Sequence, residues 1–170
     1  MSQQKPNNND DIQKLLNSAN AKTQKFNLSN NLFLAKCVKC YDADTIHVVI
    51  NFHNKLQRFV CRLAEIDTAE VKNSNAEELK VALAGKEFLE NLILNKLIII
   101  KCSEFDKYGR LLIYIYSFSN SLNDNWNIEN NELENYVFEN SINQKLIENN
   151  FGYKYQGKTK KKFEEWYKDK

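Results

Sequence analysis

Three short segments carry charge where the surrounding sequence is apolar and strand-like: Tyr41–Thr45 (YDADT), Arg62–Glu70 (RLAEIDTAE) and Phe105–Leu112 (FDKYGRLL). Each falls at the end of a strand-like run or in a turn. If those runs close on one another, the carboxylates Asp42, Asp44, Asp67 and Glu70 converge with Arg62 and Arg110. Carboxylates beside guanidinium groups suit phosphate chemistry. Hard oxygen ligands such as Asp44 and Asp67 hold Ca²⁺ or Mg²⁺, while the planar fork of arginine grips phosphate oxygens in pairs and stabilises charge in a transition state. Lysine lacks that fork.

The elements that must position these groups are legible in the hydrophobic pattern. LFLAKCVKC (32–40) and TIHVVINF (45–52) are β-branched, apolar runs separated by the acidic break YDAD. In the second, Ile46, Val48, Ile50 and Phe52 share one face, in phase with Asp44. LQRFVCRL (56–63) alternates again, with Phe59, Cys61 and Leu63 on one side. Residues 76–95 read as a helix with a stripe of Leu79, Ala82, Leu83, Lys86, Leu89, Leu92 and Ile93. Gly85 weakens that helix by about 1 kcal/mol relative to Ala, which a close contact with the strands would explain. LIIIKCS (97–103) and RLLIYIYS (110–117) are further strands, and SINQKLIENN (141–150) is a short amphipathic helix with Ser141 as cap and the glycine of FGY as its stop. The order is three strands, a helix, two strands and a helix.

A chain of 170 residues, 42% hydrophobic and 27% charged, suits one domain with a real core. Four glycines and one proline exclude collagen-like and linker-like chains. Twenty-four basic against 22 acidic residues give +2, too little to diagnose a nucleic-acid binder or exclude one. The unusual residue is Asn, 25 in number and concentrated at the start and between Asn120 and Asn150. Residues 1–30 therefore read as a mobile arm, with 31–170 as the folded domain and 118–140 as an insertion: a flap, an interaction loop or drift. No run reaches the roughly 20 apolar residues of a membrane span. The start lacks the apolar segment of a secretory signal, so an intracellular monomer is expected.

Cys37, Cys40, Cys61 and Cys102 read as reduced thiols buried in strands. Cys37 and Cys40 form a CxxC, but positions three apart on a regular strand face opposite ways and chelate zinc poorly. His47 and His53 have no third ligand at a suitable spacing for a transition metal. Tyr114 and Tyr116 are expected in the core and wall of the sheet rather than as a base-stacking platform. In the tail KTKKKFEEWYKDK, Phe163, Trp166 and Tyr167 share a helical face. The tail is either a docked terminal helix or a phosphate-contacting basic patch.

The strings DADTIHV, RLAEIDTAE, DKYGRLLIYIY and SINQKLIENNFGYKY resemble, in order and spacing, the staphylococcal nuclease (thermonuclease) family, and the likeness runs from about Leu32 to Tyr155. The resemblance implies an α+β, mainly β fold: a five-stranded barrel of the oligonucleotide-binding type with about three packed helices. It implies Asp44, Asp67 and the backbone carbonyl of Thr68 as ligands of one Ca²⁺, with Asp42 behind them. Arg62 and Arg110 would grip the scissile phosphate, Glu70 would be the general base, and Lys107 and Tyr108 would touch a neighbouring phosphate. The implied reaction is Ca²⁺-dependent hydrolysis of DNA and RNA phosphodiester bonds with little sequence preference, leaving 5′-hydroxyl and 3′-phosphate ends. The alternative is a catalytically weak or silent module on the same barrel that binds nucleic acid or protein.

Three positions depart from the family pattern. Ala43 stands where glycine is usual between the aspartates, and strains the turn by roughly 1 kcal/mol if a positive φ is needed there. Ala69 replaces the proline usual before the glutamate, and Glu65 stands at a place often held by glycine. None of the three removes a ligand or a charge.

Overall fold

A computed structural model describes residues 9–72, 75–118 and 136–167. Most of the insertion expected at 118–140, with Trp126 and Leu133, lies outside the described residues.

The five long strands are β1 (Leu32–Cys40), β2 (Thr45–Phe52), β3 (Lys55–Leu63), β5 (Leu97–Phe105) and β6 (Leu111–Ser117). A three-residue strand β4 (Ile66–Thr68) follows β3, and β7 (Gly152–Lys154) comes late in the chain. The long strands close into a barrel in the order β1-β2-β3-β6-β5, and β4 pairs with β7 in a separate ribbon. All neighbours in the barrel are antiparallel except β3 and β6, which run parallel and close it. The architecture is the expected mainly β barrel with helices packed on it.

Inward alternation builds the core. Ala35, Cys37, Ile46, Val48, Ile50, Cys61, Leu63, Ile98, Ile100, Cys102, Leu111, Ile113 and Ile115 fill one apolar cluster, which Leu89 and Ile93 of the helix α2 (Ala76–Ile93) and Ile142 and Leu146 of α3 (Ile142–Glu148) complete. Leu28 also lies in this core, and Asn30 and Asn31 exchange backbone hydrogen bonds with Cys102. The chain therefore joins the barrel before β1. Ahead of it, α1 (Asn9–Asn17) buries no residue.

Asparagine substitutes for scarce glycine at the turns. Of six non-glycine residues with positive φ among those described, Asn30, Asn54, Asn95 and Asn150 are asparagine, the non-glycine type that best tolerates this region. His53 and Asn54, at φ 50° and 61°, make the two-residue turn between β2 and β3, whose twist such a pair matches.

Several local expectations are corrected. The glycine of FGY does not stop α3: Asn150 takes the left-handed conformation at φ 61°, and Gly152 lies in β7. It is needed there because a β-carbon would come to 2.6 Å of the Asp67 carbonyl oxygen. Cys37 and Cys40 do not face apart. The β1–β2 register shifts between Cys37 and Lys39, and this bulge turns both thiols inward with their sulfurs 3.9 Å apart. The buried stripe of α2 is Val81, Ala82, Gly85, Leu89 and Ile93, whereas Leu83 is exposed. Gly85 lets that face come close to Ala43 in the turn between β1 and β2, whereas Ala82 packs with Ala69 and Phe163. Tyr116 is buried, but on the outside of the barrel with Leu32 and Ile99.

Candidate active site

The closing seam brings the three charged segments to one end of the barrel. Thr45 pairs with Arg62 across β2 and β3, and Arg62 pairs with Leu112 across the parallel β3–β6 contact. Asp44 lies just before Thr45, and Arg110 just before β6, where its guanidinium reaches Thr45 Oγ1 at 3.5 Å, so the register gathers both at the same end of the barrel as Arg62. The backbone amide of Leu63 donates to the Asp44 carbonyl at 2.8 Å, and that of Ala64 to Ile113 at 2.8 Å, fixing the chain as it leaves β3.

Each turn is held by an aspartate. Asp42 Oδ1 accepts from the backbone amides of Asp44 (3.1 Å) and Thr45 (2.7 Å), so Asp42 shapes the loop that presents Asp44. Ala43 is buried and its φ is not positive, so the replacement of glycine introduces no strain there. In the second turn Asp106 Oδ1 accepts from the amides of Tyr108 and Arg110, and Gly109 supplies the positive φ of 79°. Asp106 Oδ2 then accepts from Arg110 Nε at 2.7 Å, which points the guanidinium toward Thr45 Oγ1 at 3.5 Å. Burial opposes ionisation of Asp106, but the donated hydrogen bonds of Arg110 and Tyr108 and the Arg110 charge leave its carboxyl below the ordinary range.

At the centre, Arg62 bridges two buried carboxylates, with Nη1 at 2.7 Å from Asp44 Oδ2 and Nη2 at 2.5 Å from Asp67 Oδ1. Burial pushes the Asp44 carboxyl up to about 7, against the opposing pull of Arg62. A carboxylate so poorly compensated is one that a cation would stabilise. Among the described residues no third His, Cys, Asp or Glu closes around this pair. The donor set fits a hard cation that completes its shell with backbone carbonyls and water, as Ca²⁺ does, and does not fit zinc.

A cleft of about 910 Å³ opens over this centre. Asp42, Asp44, Arg62, Thr68, Glu70, Lys107, Tyr108 and Arg110 line it, and Asp67 alone of the anticipated residues does not. Tyr108 is exposed at the rim, its ring 5.0 Å from Lys107 Nζ and 5.6 Å from the Arg110 guanidinium carbon. Glu65 sits at φ 57°, and its carboxylate accepts from the Tyr114 hydroxyl at 2.7 Å, with Lys154 at 3.7 Å.

Three participants gave little sequence signal. Tyr153 donates its hydroxyl to Asp67 Oδ2 at 3.1 Å, because β7 pairs Tyr153 directly with Asp67. Lys160 Nζ contacts Asp67 Oδ1 at 2.9 Å and Glu70 Oε1 at 2.6 Å. Burial works against its charge, but the two carboxylates hold the ammonium above the ordinary lysine range. Asn143, wholly buried, ties α3 to the segment bearing Glu65 and Asp67. The only hint in the sequence was a polar residue on the apolar face of a short helix.

The tail settles as a docked helix. In α4 (Phe163–Trp166), Phe163 is buried against Ala69, Val81 and Ala82, and Trp166 and Tyr167 pack beside it. Ala69, where proline was usual, thus serves as a floor for Phe163. No helix among the described residues is long and apolar enough to cross a membrane. In comparisons with known proteins, residues 60–169 match the family described as staphylococcal nuclease homologue. No curated protein matches the chain.

Proposed function

Because the chain belongs to the staphylococcal nuclease homologue family, we propose that its cleft hydrolyses phosphodiester bonds of DNA and RNA with Ca²⁺ as cofactor. The observation that carries this reading is the convergence of Asp44, from the first charged segment, with Arg62 and Asp67 of the second, within 2.7 Å contacts beneath a cleft lined by Glu70 and Arg110.

Asp44, Asp67 and the Thr68 carbonyl would hold Ca²⁺, which when bound supplies positive charge against the phosphate. Arg62, from β3, and Arg110, from the turn before β6, grip the phosphate oxygens, holding the diester while charge builds on phosphorus. Glu70 takes a proton from the attacking water, a contribution of about 10²- to 10⁴-fold. The water oxygen bonds to phosphorus, the bond from phosphorus to the 5′ oxygen breaks, and that oxygen takes a proton from solvent water in the open cleft and leaves as a hydroxyl, while Glu70 returns its proton to solvent. The products carry 5′-hydroxyl and 3′-phosphate ends. Lys107 and Tyr108 at the rim would contact the next phosphate. Single-stranded or locally melted substrate suits an open cleft whose rim carries one exposed aromatic ring.

The test is digestion of single-stranded DNA and of RNA in millimolar Ca²⁺, with a chelator arm and end-group analysis of the products. Calcium-dependent cleavage with 3′-phosphate ends is expected. Binding without cleavage would replace this reading with the silent binding module, for which the pairing of Glu70 with Lys160 is the favouring observation.

A further inference from the structure

Among the described residues, Lys160 is the one basic side chain of the tail that enters the carboxylate cluster, and the chain on both sides of it is pinned. The Tyr155 hydroxyl donates to the Lys158 carbonyl at 2.5 Å, the Lys161 amide donates to the Tyr153 hydroxyl at 2.9 Å, and Phe163 is buried. Between these anchors the Lys160 ammonium reaches Asp67 Oδ1 at 2.9 Å and Glu70 Oε1 at 2.6 Å. It thereby engages an expected cation ligand and the expected general base together. Arg62 Nη2 shares the same Oδ1 at 2.5 Å and the Tyr153 hydroxyl donates to Oδ2, so Asp67 is only 3% exposed and does not line the cleft.

We propose that Lys160 is a tethered competitor of the catalytic cation, a built-in positive charge that closes Asp67 and Glu70 until a divalent ion displaces it. This inference rests on the Ca²⁺ reading above. A dication arriving between Asp44 and Asp67 repels the ammonium and takes its place on Asp67 Oδ1, the oxygen it shares with Arg62. Loss of that contact also releases Glu70 from its ion pair, so cation binding and freeing of the base are one event. The freed ammonium remains at the mouth of the cleft, half-exposed, where an incoming phosphate gives it a new partner. The metal-free protein thus keeps its buried carboxylate compensated and its base paired with an ammonium.

The experiment is calorimetric titration of the full chain with Ca²⁺ alone, without nucleic acid, for the wild type, Lys160→Met, Lys160→Gln, Lys160→Arg and Lys161→Met. Both neutral variants at 160 are expected to bind Ca²⁺ about fivefold or more tighter, the scale of one half-exposed ion pair. Lys160→Arg should stay within about twofold of the wild type, because it keeps the competing charge. Lys161→Met removes a charge one residue away, whose ammonium lies over the Tyr153 ring at 5.3 Å, and should also stay within about twofold. Equal tightening in Lys161→Met would overturn the proposal in favour of a general field effect. Unchanged or weaker binding in the neutral 160 variants, with wild-type binding intact, would overturn it alone. Absence of Ca²⁺ binding in every protein would remove both this proposal and the cation reading.

Discussion

The side-chain amide nitrogen of Asn143 lies 3.0 Å from the backbone carbonyl oxygen of Ala64, across 79 residues of sequence. The same nitrogen donates to Ile113 at 3.0 Å, and Oδ1 accepts from the Ile115 amide at 3.1 Å. One buried amide therefore joins α3, β6 and the bend from which Glu65, Asp67 and Glu70 project. Replacement by alanine strands the Ala64 carbonyl and the Ile115 amide, at about 2–3 kcal/mol. Asn143→Asp should cost more at neutral pH, because a carboxylate then faces two carbonyl oxygens, and recover on acidification as it protonates. Urea unfolding of both variants at two pH values checks the order.

Gly85 sets the distance between α2 and the DADT turn. A β-carbon at 85 would meet Phe151 Cβ at 3.0 Å and Ala43 Cβ at 3.3 Å, both atoms fixed to backbone. Alanine gains about 1 kcal/mol of helix propensity but must displace one of these contacts, so Gly85→Ala is expected near neutral. Gly85→Val adds volume that cannot be absorbed and should destabilise by about 2–3 kcal/mol. Thermal unfolding of the two variants separates propensity from crowding.

Arg62 is the only basic partner of the buried Asp44 among the described residues, and it shares Asp67 with Lys160. Arg62→Gln should lower stability by about 3 kcal/mol, since it leaves buried charge without its partner. If the same carboxylates bind Ca²⁺, the ion should recover part of that loss, a larger stabilisation than it gives the wild type. Denaturant curves with Ca²⁺ and with chelator measure both quantities. The absence of recovery would take Asp44 and Asp67 out of the ligand set.

Arg110 and Glu70 are more exposed than Arg62, and their loss should be felt in turnover. Arg110→Lys keeps charge but loses the fork and the Nε contact to Asp106. It should slow cleavage by about 10²-fold with little change in melting temperature. Glu70→Gln should slow it by about 10²- to 10⁴-fold while nucleic-acid binding persists. Single-turnover rates beside binding curves distinguish the two effects, and an unchanged rate would remove the residue from its role.

The barrel thiols predict a loss of stability in alkali. Burial pushes the Cys61 thiol up, and Cys102 up to about 12, from an ordinary value of 9.0. With folded values raised, the unfolded chain loses these protons first as pH rises. The stabilisation is therefore whole below pH 9 and declines between 9 and about 12, at up to about 1.4 kcal/mol per pH unit for each thiol. Cys61→Val and Cys102→Val should flatten the decline in unfolding experiments at pH 8–11.

The sequence by itself determined the strands, the two main helices and the charged segments, because alternation, cap residues and turn chemistry are local properties. Thr45–Phe52 turns inward every second residue as its pattern dictates, and Ser141 caps α3 by accepting from the Gln144 amide. The family pattern singles out Asp44, Arg62 and Asp67 as expected site residues, and the structure brings these three side chains into contact. Tertiary structure decided everything that depends on what lies opposite. A register shift of one residue turned Cys40 inward, and a helix pressed against Ala43 made Gly85 necessary. Pairing of two three-residue strands put the Tyr153 hydroxyl on Asp67. The docking of Phe163 carried Lys160 onto Asp67 and Glu70. A lysine in a basic tail has no local property that names its partner; only the packing of the residue three places later chooses it.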